Sequence, residues 1–292
     1  MKHIAYLTMD CLKGFFAYDH LTIEPLRQRD CRVQNVSWRR PDVLWDQFDL
    51  VVIRSPWDYQ KAPQQFLSVL EAIEASGAQL QNSLNIVRWN ICKEYLRDLD
   101  SGGVPIIPTQ WLSCLTSARI EQLIEESSDG QFVCKPLIGA GADRTWWLSS
   151  SSDDSQKLAA LNTYHAAPLM IQPFIRSVID TGEYSLFYFG GKYSHSILKT
   201  PAPGDFRVQE EHGGRLLTIL PDPDLVEVAD RAVKAIPEPV LYARVDLVRL
   251  SDSTPAVMEL ELIEPSLYFA HDTHSPTRFA DAVVDCLTNG SR

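Results

Sequence analysis

Short apolar runs alternate with amphipathic stretches through the first third of the chain: HIAYLT, then PLRQRD, CRVQNVSW, DLVVIRS and FLSVLEAIEASG. Strands buried on both faces read as near-continuous apolar runs, and parallel strands need long crossover connections, so this alternation predicts a parallel sheet flanked by helices. Residues 1–85 are expected to form an α/β, Rossmann-like domain. No GxGxxG follows its first strand, where LTMDCLKG stands instead, so the pattern does not imply a dinucleotide.

The stretch IVRWNICKEYLRDLDSGG reads as one helix closed by Gly102 and Gly103, with an extended exit, VPIIPTQWL, after it. From Gln131 the texture changes to short strands and turns: FVCKPL, TWWLSS, LMIQPFI, EYSLFYFGGKYSHSILKT, RLLTIL, VLYARVDLVRL and AVMELELIE, with one helix, DLVEVADRAVKAI, among them. Antiparallel-looking strands with interspersed helices predict an α+β region. The segment SSSSDDSQK is polar and low in complexity and reads as a loop or mobile edge.

Composition narrows the class. The chain has 292 residues, 45% of them apolar and 22% charged, which suits two or three packed units of an ordinary globular protein. Its net charge of −11 disfavours a nucleic-acid partner, since polyanion binding depends on clustered Lys and Arg; a small anionic ligand remains compatible, because local cations set the potential of a pocket. Six cysteines lie scattered without CxxC pairs, the pattern of reduced thiols rather than of zinc or disulfides. MKHIAYLTMD runs straight into a strand pattern, and no stretch approaches the roughly 20 apolar residues of a membrane helix. The expectation is a cytoplasmic protein without membrane or nucleic-acid partners, with self-association left open.

Candidate chemistry gathers in the second half. In extended strands side chains alternate faces, so Glu259 and Glu261 project to one side, as do Arg244 and Asp246; a hairpin through SDSTP would bring three carboxylates together. Like charges so placed require a cation, and an all-oxygen set suits Mg²⁺; a solvated strand face is the plainer alternative. Glu264 is a further ligand or a neighbour. Lys135 precedes a small-residue loop with Gly139 and Gly141 whose backbone N–H groups could cover phosphates, although a surface lysine has the same appearance. Gln172, Pro173, Phe174 and Ile175 lead into a turn and Glu183, and KTPAPGDFRVQEEHGG combines Lys199 with Arg207, whose planar fork suits phosphate. Arg54, Ser55, Trp57 and Asp58 sit at the C-terminal end of a predicted strand, where α/β sheets bind ligands; a structural turn is the alternative. His271 and His274 have HxxH spacing but no obvious third ligand.

Taken in order, these strings resemble the ATP-grasp ligases over about residues 86–270: Lys93, Lys135 before a proline, the hinge Gln172 to Ile175, Glu183 in GEYS, Phe206 to Gly214 in DFRVQEEHGG, Arg244 to Asp246, then Glu259 and Glu261. Two departures stand out: Glu261 where most of the family has Asn, and a glycine-rich loop reduced to GAGA. The resemblance implies an ATP-grasp architecture in which residues 86–292 form two α+β lobes enclosing ATP, with 112–182 as the small lobe and 86–111 with 183–292 as the central and C-terminal lobe.

It further implies Lys93, Lys135, Gly139 and Gly141 on the phosphates, the hinge on adenine, and Glu183 on ribose. Asp246, Glu259 and Glu261 would hold Mg²⁺ as two ions, Arg207 and Lys199 would be catalytic, and Arg54, Ser55, Trp57, Asp58 and Ser266 would meet a small amino-acid-like substrate. The strings DFRVQEEHGG, MELELIEPSLYF and IRSPWDY look most like the group that includes the cycloserine-forming O-ureido-serine cyclo-ligase. Activation of a carboxylate as an acyl phosphate, opened by a nitrogen of the same molecule, is the expected reaction. An intermolecular ligase forming a dipeptide-type bond, and a regulatory protein that binds ATP without turnover, are the alternatives.

Overall fold

The computed structural model describes residues 1–139, 141–210 and 213–289, the last of these by its backbone. Residue 140 of the GAGA loop and residues 211 and 212 of DFRVQEEHGG lie outside the described residues.

The first sheet is parallel, as its apolar runs predict. Strand β1 (Lys2–Thr8) leads through helix α1 (Ile23–Arg27) to β2 (Cys31–Ser37), β3 (Leu50–Ser55), helix α2 (Pro63–Ala75) and β4 (Gln79–Gln81), in spatial order β2-β1-β3-β4. Helix α2 opens on Pro63, where a missing N–H is harmless, and lays Phe66, Leu70 and Ile73 against the sheet.

The single helix expected after it is two, α3 (Leu84–Asn90) and α4 (Tyr95–Ser101). Between them the Lys93 N–H leaves the helical ladder to donate to the Leu137 carbonyl (2.8 Å), and the Lys93 ammonium ion-pairs with Glu259. Tertiary partners here override a helix-forming sequence.

The second sheet is antiparallel. It comprises β5 (Gln110–Leu112), β6 (Gln131–Pro136), β7 (Trp146–Ser149) and β8 (Leu169–Pro173), ordered β5-β8-β6-β7 and backed by α5 (Ser117–Glu126) and α6 (Asp154–Tyr164). The serine-rich segment read as a loop instead delivers the start of α6. Asp153 accepts from the Gln156 N–H (2.8 Å) while the Gln156 side chain accepts from the Asp153 N–H (3.3 Å), a reciprocal cap that turns polar sequence into a helix start.

After the short α7 (Ser177–Asp180), a five-stranded antiparallel sheet follows: β9 (Glu183–Phe189), β10 (Lys192–Thr200), β11 (Arg215–Thr218), then helix α8 (Pro223–Lys234), β12 (Tyr242–Arg249) and β13 (Pro255–Glu261), ordered β11-β10-β9-β12-β13. One face buries Leu186, Tyr188, Val245 and Leu260 against α4 and α8. The opposite face packs Phe187, Phe189 and Tyr242 on Ile4, Tyr6 and the C-terminal helix α9 (Ser275–Asn289). Alternation puts Glu183, Ser185, Arg244 and Asp246 on that same face, beyond the aromatic patch. Among the described residues no helix is long and apolar enough to cross a membrane.

Strand β13 is an edge strand, and neighbouring segments close that edge. The Val257 N–H donates to the Pro105 carbonyl (2.8 Å), and the Leu260 N–H to the Tyr95 hydroxyl (3.0 Å). Asn90 donates to the Leu260 carbonyl (2.8 Å) and accepts from the Leu262 N–H (3.0 Å). These partners stand in for a missing strand and fix the backbone that carries Glu259 and Glu261. Asn90→Leu should lower the unfolding free energy by roughly 2–6 kcal/mol, because it strands two buried backbone groups worth about 1–3 kcal/mol each. Urea unfolding followed by circular dichroism measures it, and an unchanged midpoint would show that water satisfies this edge.

Candidate active site

A cavity of about 470 Å³ opens between the second and third sheets and the loops after β1 and β3. One end is apolar: Gln172, Pro173, Phe174 and Ile175 border it together with Val133 and Met258. Phe174 stacks on Trp147 with centroids 4.3 Å apart and planes 10° apart, and Trp147 is fixed by Gln131 (3.1 Å). Trp147 therefore supports the segment Gln172 to Ile175. Gln172 is buried, donates to Thr109 (3.0 Å), and leaves its amide oxygen without a partner.

The middle of the cavity is cationic. Lys135 makes no ion pair among the described residues, and burial together with Lys93 lowers its pKa. It emerges from β6 just before Gly139 and Gly141, which line the same cavity. A Cβ on Gly139 would lie 2.9 Å from the Pro136 ring, and Gly141 has φ +62°, so neither position accepts a larger residue easily. Arg207 borders the cavity from the loop after β10, its guanidinium held by Asp205 (2.8 Å), which lies well below the usual carboxylate range for that reason.

The floor is anionic and comes from strand register. Asp246 lies opposite Glu259 in the β12–β13 hairpin and Arg244 opposite Glu261; Glu183 on β9 lies opposite Lys199 on β10. Asp246, Glu259 and Glu261 bring one oxygen each within 4.8 Å of one another, the one such group of metal-capable side chains among the described residues.

Cations thread between these carboxylates. Lys199 pairs with Glu183 and with Asp246 (3.3 Å), Arg244 with Asp246 (2.9 Å) and Glu261, and Lys93 with Glu259. The Ser185 hydroxyl also donates to Asp246. Burial would raise Asp246, but Arg244 and Lys199 outweigh it and hold the group at about 2. At Glu261 burial wins, carrying it up to about 7 against the pull of Arg244, and burial with Glu261 nearby pushes Glu264 up to about 8. Lys199, expected to be catalytic, has its ammonium locked between two carboxylates, the geometry of a positioning residue.

The N-terminal string divides. Trp57 borders the cavity and donates to the Glu264 carbonyl (2.8 Å), and Ser266 borders it too. Arg54 lies beneath, held by Asp19 (2.9 Å) and the Pro265 carbonyl (3.1 Å); Ser55 is buried; Asp58 faces Trp38 (2.7 Å) and Arg39 (2.8 Å). These three are absent from the described lining: structural partners take the polar groups of Arg54 and Asp58, while the buried Ser55 hydroxyl has no hydrogen-bond partner among the described residues. His271 packs edge-on against Tyr18 and Tyr268. Sequence reasoning passed over Arg244 as the bridging cation, although its alternation with Asp246 was the available signal. It also missed Phe15, Phe16 and Gln60, loop positions with no periodicity to betray them.

Comparison with known proteins identifies the family and the fold. Residues 4–82 match the family described as D-cycloserine synthetase DcsG, N-terminal domain. The chain is 30% identical over 286 residues to the cycloserine biosynthesis protein DcsG of Streptomyces lavendulae, covering 91% of this chain and 92% of that one. The crystal structure of D-cycloserine synthetase DcsG superposes with a TM-score of 0.84 at 28% identity, covering 98% of this chain and 99% of that chain. The D-alanine–D-alanine ligase of Bacillus anthracis complexed with ATP shares the fold at 15% identity, with a TM-score of 0.69 over 99% of this chain and 98% of that one. The chain thus belongs to the DcsG family of ATP-grasp ligases, enzymes that join a carboxylate to a nitrogen with the free energy of ATP.

Proposed function

We propose that this ligase cyclises O-ureido-serine to cycloserine with ATP and two magnesium ions. The observation that carries the reading is the single cavity in which three strand-borne carboxylates face Lys93, Lys135 and Arg207, with an apolar hinge at the other end. Similarity to a cycloserine biosynthesis protein and a D-cycloserine synthetase favours this product over a bond between two separate amino acids.

In this reading residues 1–85 are a substrate domain and the rest encloses the nucleotide. Phe174 and its neighbours take adenine, with the unpartnered Gln172 oxygen available to an amino group. Glu183 accepts from ribose hydroxyls while Lys199 balances its charge. Lys93 and Lys135 hold the phosphates under the Gly139–Gly141 loop. The all-oxygen trio Asp246, Glu259 and Glu261 fits Mg²⁺ in ligand type. Asp246, Glu259 and Glu261 would hold magnesium, whose chemistry would be to offset negative charge on the transferring phosphoryl group.

The substrate carboxylate then attacks the γ-phosphorus, releasing ADP and leaving an acyl phosphate. Arg207 stabilises the charge that develops at both transfers, while Arg244, held between Asp246 and Glu261, positions those carboxylates. The nitrogen bonded to the side-chain oxygen attacks the carbonyl carbon and phosphate leaves, closing a ring of carboxyl carbon, Cα, Cβ, oxygen and nitrogen. The carbamoyl group on that nitrogen departs with one water as carbon dioxide and ammonia. With nucleophile and electrophile in one molecule, proximity favours the second step.

Purified protein with Mg-ATP and O-ureido-serine alone should release one phosphate per substrate consumed, read by a coupled phosphate assay and by mass spectrometry of the product. Phosphate release that needs a second amino acid would replace the reading with an intermolecular ligase; none with any carboxylate would leave a nucleotide-binding protein.

Asp246→Asn and Glu259→Gln should each lower turnover at least about a hundredfold, the effect of losing several kcal/mol of charge stabilisation. In the same assay His274→Ala should keep the wild-type dependence on magnesium concentration. Near-normal turnover in either acidic variant sinks the metal assignment.

A further inference from the structure

Glu264 borders the cavity but has no part in the ligand scheme above. It follows Glu261 by three residues, yet its oxygens stand outside the group formed by Asp246, Glu259 and Glu261. The four carboxylates of the floor each meet a lysine or arginine: Glu183 and Asp246 meet Lys199, Glu259 meets Lys93, and Glu261 meets Arg244. Glu264 makes no ion pair among the described residues. Its Oε1 accepts from the neutral Gln60 amide (3.3 Å), and its main-chain carbonyl accepts from the Trp57 indole (2.8 Å), so its place is fixed at both ends.

Beside it stand aromatic rings. Phe15 and Trp57 lie 5.6 Å apart between centroids, and both border the cavity, as does Phe16. A partly buried carboxylate without a counter-charge is unfavourable unless a ligand brings one, and carboxylate with aromatic surface is the environment that recognises an ammonium group.

We propose that Glu264, positioned by Gln60 and Trp57, receives the α-ammonium group of the amino-acid substrate. The inference rests on the ligase reading above and adds to it the basis of amino-acid recognition. In an α-amino acid the ammonium and carboxylate share one carbon. Anchoring the first at Glu264 leaves the second beside the floor that ends in Glu259 and Glu261, where phosphate is delivered. Glu264 thereby separates amino acids from simple carboxylic acids.

The test is equilibrium binding to the protein loaded with magnesium and a non-hydrolysable ATP analogue. The probes are O-ureido-serine, serine and alanine, each against the acid in which hydrogen replaces the amino group. Wild type should prefer the amino acid by about ten- to a hundredfold, the worth of a charge-assisted hydrogen bond. Glu264→Gln should shrink that ratio to within about threefold without changing affinity for the nucleotide, and Glu264→Asp should restore part of it. Where Glu264→Gln folds poorly, Gln60→Met, which removes one of the two side-chain donors on the carboxylate, the other being Tyr59, should lower the same ratio.

A ratio unchanged in Glu264→Gln overturns the inference, and so does a raised magnesium requirement for nucleotide binding, which would make Glu264 a metal ligand. Binding needs no turnover, so the two readings fail separately. A Glu264-dependent preference without phosphate release sinks the cyclisation and keeps the subsite, whereas normal cyclisation with an insensitive ratio sinks the subsite alone. No binding by any of the three amino acids overturns both.

Discussion

Four carboxylates cannot share one partly dry wall unless cations stand between them, and that constraint organises the catalytic half of the molecule. Two like charges 4 Å apart repel by about 4 kcal/mol at an effective dielectric constant of 20. Here Glu183, Asp246, Glu259 and Glu261 are interleaved with Lys199, Arg244 and Lys93, which arrive from a strand, a second strand and the break between two helices. The break at Lys93 is thus a requirement of the site: a continuous helix would keep its N–H in the ladder and away from Leu137. On the proposed reading, a nucleotide's phosphates would offer Lys93 an alternative anion and free Glu259 for a metal ion, so the groups that neutralise one another here would be those that grip the ligand.

Such a network works only if the strands beneath it cannot slip, because a shift of one residue would turn every side chain to the other face. Two features fix the register. Leu186, Tyr188, Val245 and Leu260 are committed to the core below, so their neighbours Ser185, Arg244, Asp246, Glu259 and Glu261 must face the cavity. The outer edge of β13 is then closed by Pro105, Tyr95 and Asn90, which supply the hydrogen bonds a further strand would have made. Stability and site geometry come from the same alternation.

That alternation is also why much of the site was legible beforehand. The carboxylate trio, the hairpin through SDSTP and the facing of Arg244 with Asp246 all follow from period-two spacing, which survives in any antiparallel pair. The parallel first sheet was legible from its apolar runs. What escaped depends on contacts between distant segments. The interruption at Lys93 is set by Leu137 and Glu259, and the start of α6 by a reciprocal cap hidden in a run of serines. Arg54 and Asp58 carry the right chemistry for a ligand at the right strand end, but Asp19, Pro265, Trp38 and Arg39 take them up. Charge type is local information; who neutralises the charge is not.

Charge balance also orders the cavity from end to end. Lys135 and Glu264 both lack an ion pair among the described residues, and they are of opposite sign. Lys135 stands by the glycine loop near the hinge, Glu264 by the aromatic rings of the N-terminal loops, and the paired floor lies on the same wall. An anion is called for at the first place and a cation at the second. On the proposed reading, a nucleotide's phosphates would supply the first charge and an amino acid's ammonium group the second, so that substrate and nucleotide would complete an electrostatic arrangement that the chain leaves without a counter-charge at two points.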